Sequence, residues 1–323
     1  MHLSPTPRVG GVEVMLALVA AWSVANSNCA QILGDLVLAG LPAFAFGLAV
    51  NPIKKVSVRL CLMAMMASGV LGWLLKGALT TGLDIPPLDP LLRYSAESMA
   101  FTVFALSGVA NSVNIVDGFN GLASGLVVIE FVGWALVVVS RAGDVDLDLA
   151  CLAIAAAFFG FWFVNWPWGK LFLGDGGSYF SGFSRAWPSV LLIERNPGVS
   201  AFTPLLICID PVSEVLFSIY RRKIKKTNPG HADRPHLHSL IKQRYVRRWF
   251  LNTPACYRNS ITGLLTGSMT FTAIIMASMV YGSIWQSAAA FVAMVVGSVA
   301  LYARVVRHHW CSAIDFLLVK PAR

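Results

Sequence analysis

The sequence predicts an all-α, polytopic integral membrane protein with about ten transmembrane helices, and three observations carry that prediction. Of 323 residues, 56% are hydrophobic and 13% charged, about half the charge of an average soluble domain. Mean hydropathy is +0.67. Apolar stretches long enough to cross a bilayer, roughly 17 to 25 residues each, recur from end to end. Such a chain is not a secreted domain, a disordered or fibrous protein, or a cytosolic enzyme.

Taken in order, Met1–Gly11 is polar, with prolines and a Gly-Gly pair, which argues against a cleavable signal peptide. Spans are expected near 12–30, 33–50, 57–79, 94–113, 121–140, 148–165, 178–193, 199–218, 261–281 and 285–304. The weakest are 33–50, which carries Asp35, and 178–193, which is short and interrupted by Pro188. A basic loop, 219–260, lies within what reads as a single domain over 1–323. No internal repeat is visible, which leaves a repeat-built transporter little support.

The net charge is +9, and eleven of the twenty-five Lys and Arg residues fall between Arg221 and Arg258. A basic loop between apolar spans follows the positive-inside bias and faces anionic lipid or phosphate rather than nucleic acid. With the N-terminus inside, Arg8, Lys54, Lys55, Arg59, Lys170, that cluster and the basic C-terminus share one side. Lys76, Arg93, Arg141 and Arg195 fall on the other. Both termini are therefore expected in the cytoplasm. The six cysteines are scattered without a CxxC pair and read as small apolar filler.

Four polar, Gly-rich segments distant in sequence fall on the expected inner face: Pro5-Thr-Pro-Arg8-Val-Gly-Gly11, Asn111–Gly125, Asn165–Ser178 and His231–His238. A shared site is the economical explanation. Asn111, Asn114 and Asp117 recur at i, i+3 and i+6, one polar stripe on a helix. At the end of an apolar span that stripe must face a cavity or protein, because lipid offers no hydrogen bonds. The glycines that follow Asp117 free the backbone to turn and approach a ligand; a plain helix C-terminus is the competing reading. Gly174-Asp175-Gly-Gly-Ser178 opens a new helix, where Mg²⁺ held by one or two carboxylates can meet phosphate oxygens. An Asp N-cap at a glycine turn is the alternative there. Phe172 either stacks on a base or belongs to the core. His231, Arg234, His236 and His238 supply donors for a diphosphate; zinc lacks its companion ligands. Inner-face carboxylates, glycine turns, His and Arg together fit phosphoryl transfer at a membrane surface.

NxxNxxDGxNGLAxG over Asn111–Gly125, FxGDxGSxxxGF over Phe172–Phe183, the string Asp233-Arg-Pro-His236-Leu-His238 and the early Pro5-Thr-Pro-Arg8-x-Gly-Gly11 resemble the polyprenyl-phosphate N-acetylhexosamine-1-phosphate transferases. The resemblance runs over nearly the whole chain, in the family's order. It implies transfer of a sugar 1-phosphate from a UDP-N-acetylhexosamine to undecaprenyl phosphate, with release of UMP, at a bacterial inner membrane. The product starts a cell-surface glycan such as O-antigen or capsule. The implied cofactor is Mg²⁺, with Mn²⁺ as substitute; the implied partners are the two substrates and membrane lipid, and a homodimer is compatible. By resemblance Asp175 is the best metal ligand and Asp117 the second acid. Gly118, Asn120, Asn165 and Phe172 match positions around the uracil. Asn111, Asn114, Lys170, Asp233 and Arg234 join the substrate-binding set, and His236 and His238 lie near the diphosphate and sugar. Asn120 and the HLHS string, in place of an Asp and a triple histidine, favour this branch over the phospho-N-acetylmuramoyl-pentapeptide transferases.

One departure stands out. The family carries an acidic pair at the inner end of an early span, where this chain reads Val50-Asn51 before Lys54-Lys55. A catalytically impaired member acting as a binding protein is therefore a second reading, and an anionic-solute transporter a third. The chain also begins about where the family's second span is expected.

Overall fold

A computed structural model describes residues 7–50, 58–76, 82–83, 85, 89–113, 121–135, 142–225 and 236–307. Among them the chain is helical, with no strand. In chain order the helices are α1 (Gly10–Val24), α2 (Ser27–Val50), α3 (Val58–Lys76), α4 (Asp89–Leu92), α5 (Ser95–Val113), α6 (Leu122–Gly133) and α7 (Val145–Asn165). There follow α8 (Gly174–Arg195), α9 (Phe202–Ile207), α10 (Ile209–Lys225), α11 (Leu237–Ile241), α12 (Arg247–Trp249), α13 (Ala255–Val280) and α14 (Ile284–Arg307).

Among the described residues, five segments are long and apolar enough to cross a membrane: Ser27–Val50, Arg59–Lys76, Val145–Asn165, Ala255–Val280 and Ile284–Val305. Gly10–Val24, Ser95–Val109 and Leu122–Gly133 are shorter apolar helices. The ten expected spans are thus matched by five full-length candidates and three shorter ones among the described residues. The two that fail do so for different reasons. The 199–218 stretch divides into α9 and α10 at Cys208. The 178–193 stretch is one helix, α8, whose composition is too polar for lipid.

α8 is enclosed by protein instead. It is buried almost continuously from Gly174 to Leu192 and packs against α1, α2 and α5. A helix shielded from lipid needs no apolar skin, and small residues let its neighbours approach closely. Ser181 and Ser184 return their hydroxyls to carbonyls three residues back. Pro188 does not end the helix, and one residue on Ser189 Oγ donates to Arg185 O at 2.8 Å. Phe180, Phe183 and Trp187 on α8 form the centre of the core with Phe131, Trp134 and Phe158.

The first predicted boundary moves. Helix α1 stops at Val24 and α2 begins at Ser27, with Asn26 Oδ1 accepting from Cys29 N–H at 2.9 Å. Asp35, the charge that weakened the second span, forms an ion pair with Lys76 at 2.7 Å. Large apolar side chains such as Leu16, Met63, Phe104, Phe163 and Trp285 remain exposed on the outside of the bundle, the surface a lipid-facing protein presents.

Two ends of the bundle are distinct. At one end Asp144 caps α7 through Leu147 N–H and grips Arg195 with both oxygens, at 2.5 and 2.8 Å. Burial favours the neutral acid, but the hydrogen bonds from Arg195 and Leu147 outweigh it and hold the carboxyl of Asp144 below its ordinary range. The opposite end carries the glycine motifs.

Candidate active site

The site is built on a junction of three backbones. Gly10 N–H donates to Phe172 O at 3.0 Å, Gly11 N–H to Leu173 O at 2.9 Å, and Phe172 N–H to Pro7 O at 2.9 Å. The N-terminal segment is thus laced onto the strip that leads into Asp175. Glycine is required because the backbones touch: a Cβ on Gly11 would overlap Gly177 Cα, and one on Gly47 would overlap Gly176 Cα. Gly174, with φ +76°, makes the left-handed turn that starts α8. Asp175 follows, half-buried in the first turn.

Arg8 lies within electrostatic reach of Asp175 and is itself exposed. Two of the four predicted segments therefore meet here as expected. The C-terminal end of α2 meets them too, since Gly47 backs onto Gly176 and the carbonyl carbon of Asp175. Val50, three residues further along α2, is 8% exposed, so the position where the resemblance led to an acidic pair lies about one helical turn beyond the Gly47–Gly176 contact. Asn51 lies outside the described residues.

A third segment is tied in by Asn165, at the end of α7 and 3% exposed. Oriented as its neighbours require, its amide donates to Leu171 O at 2.8 Å and accepts from Gly121 N–H at 3.2 Å. Gly121 (φ +70°), within the Asn111–Gly125 motif, leads into α6, so Asn165 braces that motif against the Asp175 strip. Lys170 is exposed, with Nζ 5.2 Å from the Trp168 ring. Phe172 is half-buried. Ser260, at the start of α13, donates to Pro167 O at 3.0 Å.

The histidine string folds as the N-terminus of α11. His236 and His238 stack with ring centroids 5.5 Å apart and planes at 13°. The residues that follow pack Leu237, Leu240 and Tyr245 against Val305 of α14. The described part of the basic loop is therefore mostly helical, with a turn over 250–254 before α13. Burial pushes the His238 imidazole down to about 4; nearby Glu214 opposes that and His236 adds to it. His238 is neutral at neutral pH. Glu214 on α10 accepts from Leu237 N–H at 2.9 Å and contacts His236 Nδ1 at 3.1 Å.

Asn114, Asp117, Gly118, Asn120, Asp233 and Arg234 lie outside the described residues, as does His231. Asn111 lies in the last turn of α5, where only its backbone is described. Sequence reasoning passed over Glu214, and with it a buried ion pair at 2.7 Å between Glu130 of α6 and Arg185 of α8, each 1% exposed. Arg185 also donates to Ala123 O at 3.2 Å. The available signal was the presence of isolated charges inside apolar spans, which are costly there unless paired or used.

Comparison with known proteins agrees with these motifs. Residues 32–193 match the model of glycosyl transferase family 4. The chain is 27% identical over 248 residues to the undecaprenyl-phosphate alpha-N-acetylglucosaminyl 1-phosphate transferase of Yersinia pestis, covering 74% of this chain and 66% of that protein. It is 25% identical over 247 residues to a probable undecaprenyl-phosphate N-acetylglucosaminyl 1-phosphate transferase of Bacillus subtilis (75% and 67%). It is also 26% identical over 243 residues to a phospho-N-acetylmuramoyl-pentapeptide-transferase of Clostridium perfringens (70% and 74%). The chain thus spans about two thirds of the length of the first two relatives. On the matched half of its length and the motifs it carries, this chain belongs to glycosyl transferase family 4.

Proposed function

We propose that this protein transfers an N-acetylhexosamine 1-phosphate from a UDP-sugar to undecaprenyl phosphate at the cytoplasmic face of a bacterial inner membrane. The observation that carries the reading is the junction of Gly10-Gly11, Gly47 and Phe172–Gly177 around Asp175, with Arg8 beside it. Names of the relatives support the acceptor lipid and an N-acetylglucosaminyl donor.

The residues fit Mg²⁺. Among the described residues no three His, Cys, Asp or Glu side chains gather into a self-sufficient metal cage. One half-buried carboxylate on a glycine turn at a helix start suits an ion that keeps several waters and binds through one or two carboxylates plus substrate phosphates. Asp175 would hold it, with Asp117 the second acid. Bound there, the ion would neutralise charge on the diphosphate and on the departing phosphate.

The chain's own residues do the rest by position. Arg8 adds a cation where the diphosphate lies, and Phe172 offers a ring to the uracil. The neutral His238 and its partner His236 flank the sugar phosphate. A lipid-phosphate oxygen attacks the phosphorus bearing the sugar; the bond from that phosphorus to the bridging oxygen breaks, and UMP leaves with the electron pair. Initiation of O-antigen or capsule is the role that follows.

Burial of Val50 about one helical turn beyond the Gly47–Gly176 contact favours a second reading, a member with impaired catalysis. Restoring the pair with Val50→Asp and Asn51→Asp tests it. A large gain in UMP release would identify the natural chain as crippled, and no gain would leave the active reading standing. Incubating membranes with Mg²⁺, undecaprenyl phosphate and a panel of UDP-sugars tests the transfer itself. UMP from UDP-N-acetylglucosamine is expected, whereas UMP only from the UDP-muramoyl-pentapeptide donor would move the chain to the other branch.

A further inference from the structure

Glu214 is a carboxylate that the sequence pattern leaves unexplained. It sits on α10 one helical turn after Asp210, is 6% exposed, and has Val212 and Leu216 as near neighbours in the chain. A buried carboxylate costs several kcal/mol unless its oxygens are taken up by donors, so their partners identify its task. Oε1 accepts from Leu237 N–H at 2.9 Å and Oε2 contacts His236 Nδ1 at 3.1 Å. Both partners lie across the basic segment, 22 and 23 residues away in sequence.

We infer that Glu214 is a positioning residue for sugar-phosphate transfer, gripping the His236-Leu237-His238 string and fixing which nitrogen of His236 carries the proton. The inference rests on the transferase reading above. An ionised carboxylate only accepts hydrogen bonds, so the contact places hydrogen on Nδ1 of His236. In the neutral ring Nε2 then presents its lone pair. Because the His236 and His238 rings stack nearly parallel, holding one ring orients the other. Glu214 and Leu237 also line a cavity of about 400 Å³ between α10 and α14, so the held string borders open space. A carboxylate that sets the tautomer of a working histidine is a recurrent arrangement, and its loss is felt in turnover more than in binding.

The test uses membranes containing the full chain, with UDP-N-acetylglucosamine, undecaprenyl phosphate and Mg²⁺, scored as UMP released. Glu214→Gln keeps an oxygen for Leu237 N–H but offers His236 an N–H where it had an acceptor, which reverses the tautomer. It is expected to lower kcat on the order of 10-fold or more with little change in KM for the UDP-sugar. Glu214→Ala, which also releases the loop, should raise KM as well. In a His236→Ala background Glu214→Gln should cost nothing further. If Glu214→Gln reduces the folded yield, Glu214→Asp replaces it and should recover turnover relative to Glu214→Ala; no recovery overturns the inference. An active wild type with an equally active Glu214→Gln, or effects that multiply in the His236→Ala background, overturns it alone. No UMP from the wild type overturns the transferase reading and this inference together.

Discussion

In the proposed transfer, Asp175 concentrates the chemistry that individual residues must supply. Its carboxylate is half-buried on a glycine turn with Arg8 as the nearby cation. Asp175→Asn keeps the shape and removes the charge, so it should abolish Mg²⁺-dependent transfer while the protein remains in the membrane; undiminished UMP release would remove its assigned role. Phe172→Ala should weaken inhibition by UMP, and an unchanged inhibition constant would place the ring in the core instead. His238 makes a pH prediction. Its folded value, pushed down to about 4 chiefly by burial, lies below the ordinary value near 6.5. The unfolded segment therefore binds more protons between these limits, and the contribution is intact above about pH 6.5 and lost as pH falls toward 4, up to about 3 kcal/mol. Hydrogen-exchange protection of 236–246, corrected for intrinsic rates, should decline over that window in the wild type and less in His238→Gln. Asp175 and the histidines were legible because their residue types and spacing announce phosphate chemistry. Glu214 was not, because a lone Glu in an apolar run names no partner until the fold brings Leu237 and His236 to it.

At the level of elements, the structure turns on α8 and the glycines that admit its neighbours. Gly47→Ala sets a methyl group against the backbone of Gly176, which cannot rotate away as a side chain would. A loss of about 2 kcal/mol is expected, read as a lower melting temperature in detergent; an unchanged melting temperature would mean that α2 and α8 separate freely. Glu130 and Arg185 join α6 to α8 inside the bundle. Removing either partner alone strands a buried charge and should cost about 3–5 kcal/mol, whereas replacing both with apolar residues should restore much of it. A double variant whose loss equals the sum of the two single losses would assign the pair no mutual stabilisation. Apolar run length found α3, α7 and α14 within three residues and α2 and α13 within six at their starts. α8 is a helix where a span was expected, but its composition is more polar than that of the five candidates, since protein covers it from Gly174 to Leu192.

For the molecule as a whole, composition alone set the membrane class, and the order of the glycine motifs set the family. The bonds linking residues 7–11, 121, 165–177 and 260 agree with the expectation that polar segments far apart in sequence share one end of the bundle. What composition did not yield was the division between lipid-facing spans and enclosed helices, because both are built from small and apolar residues. Val50, buried where the resemblance led to an acid, makes activity itself the central question. The most direct measurement compares UMP release by membranes bearing the wild-type chain and Asp175→Asn, supplied with UDP-N-acetylglucosamine, undecaprenyl phosphate and Mg²⁺. Release by the wild type that vanishes in the variant is predicted. Equal release from both, or none from the wild type with any UDP-N-acetylhexosamine, would contradict a transferase centred on Asp175.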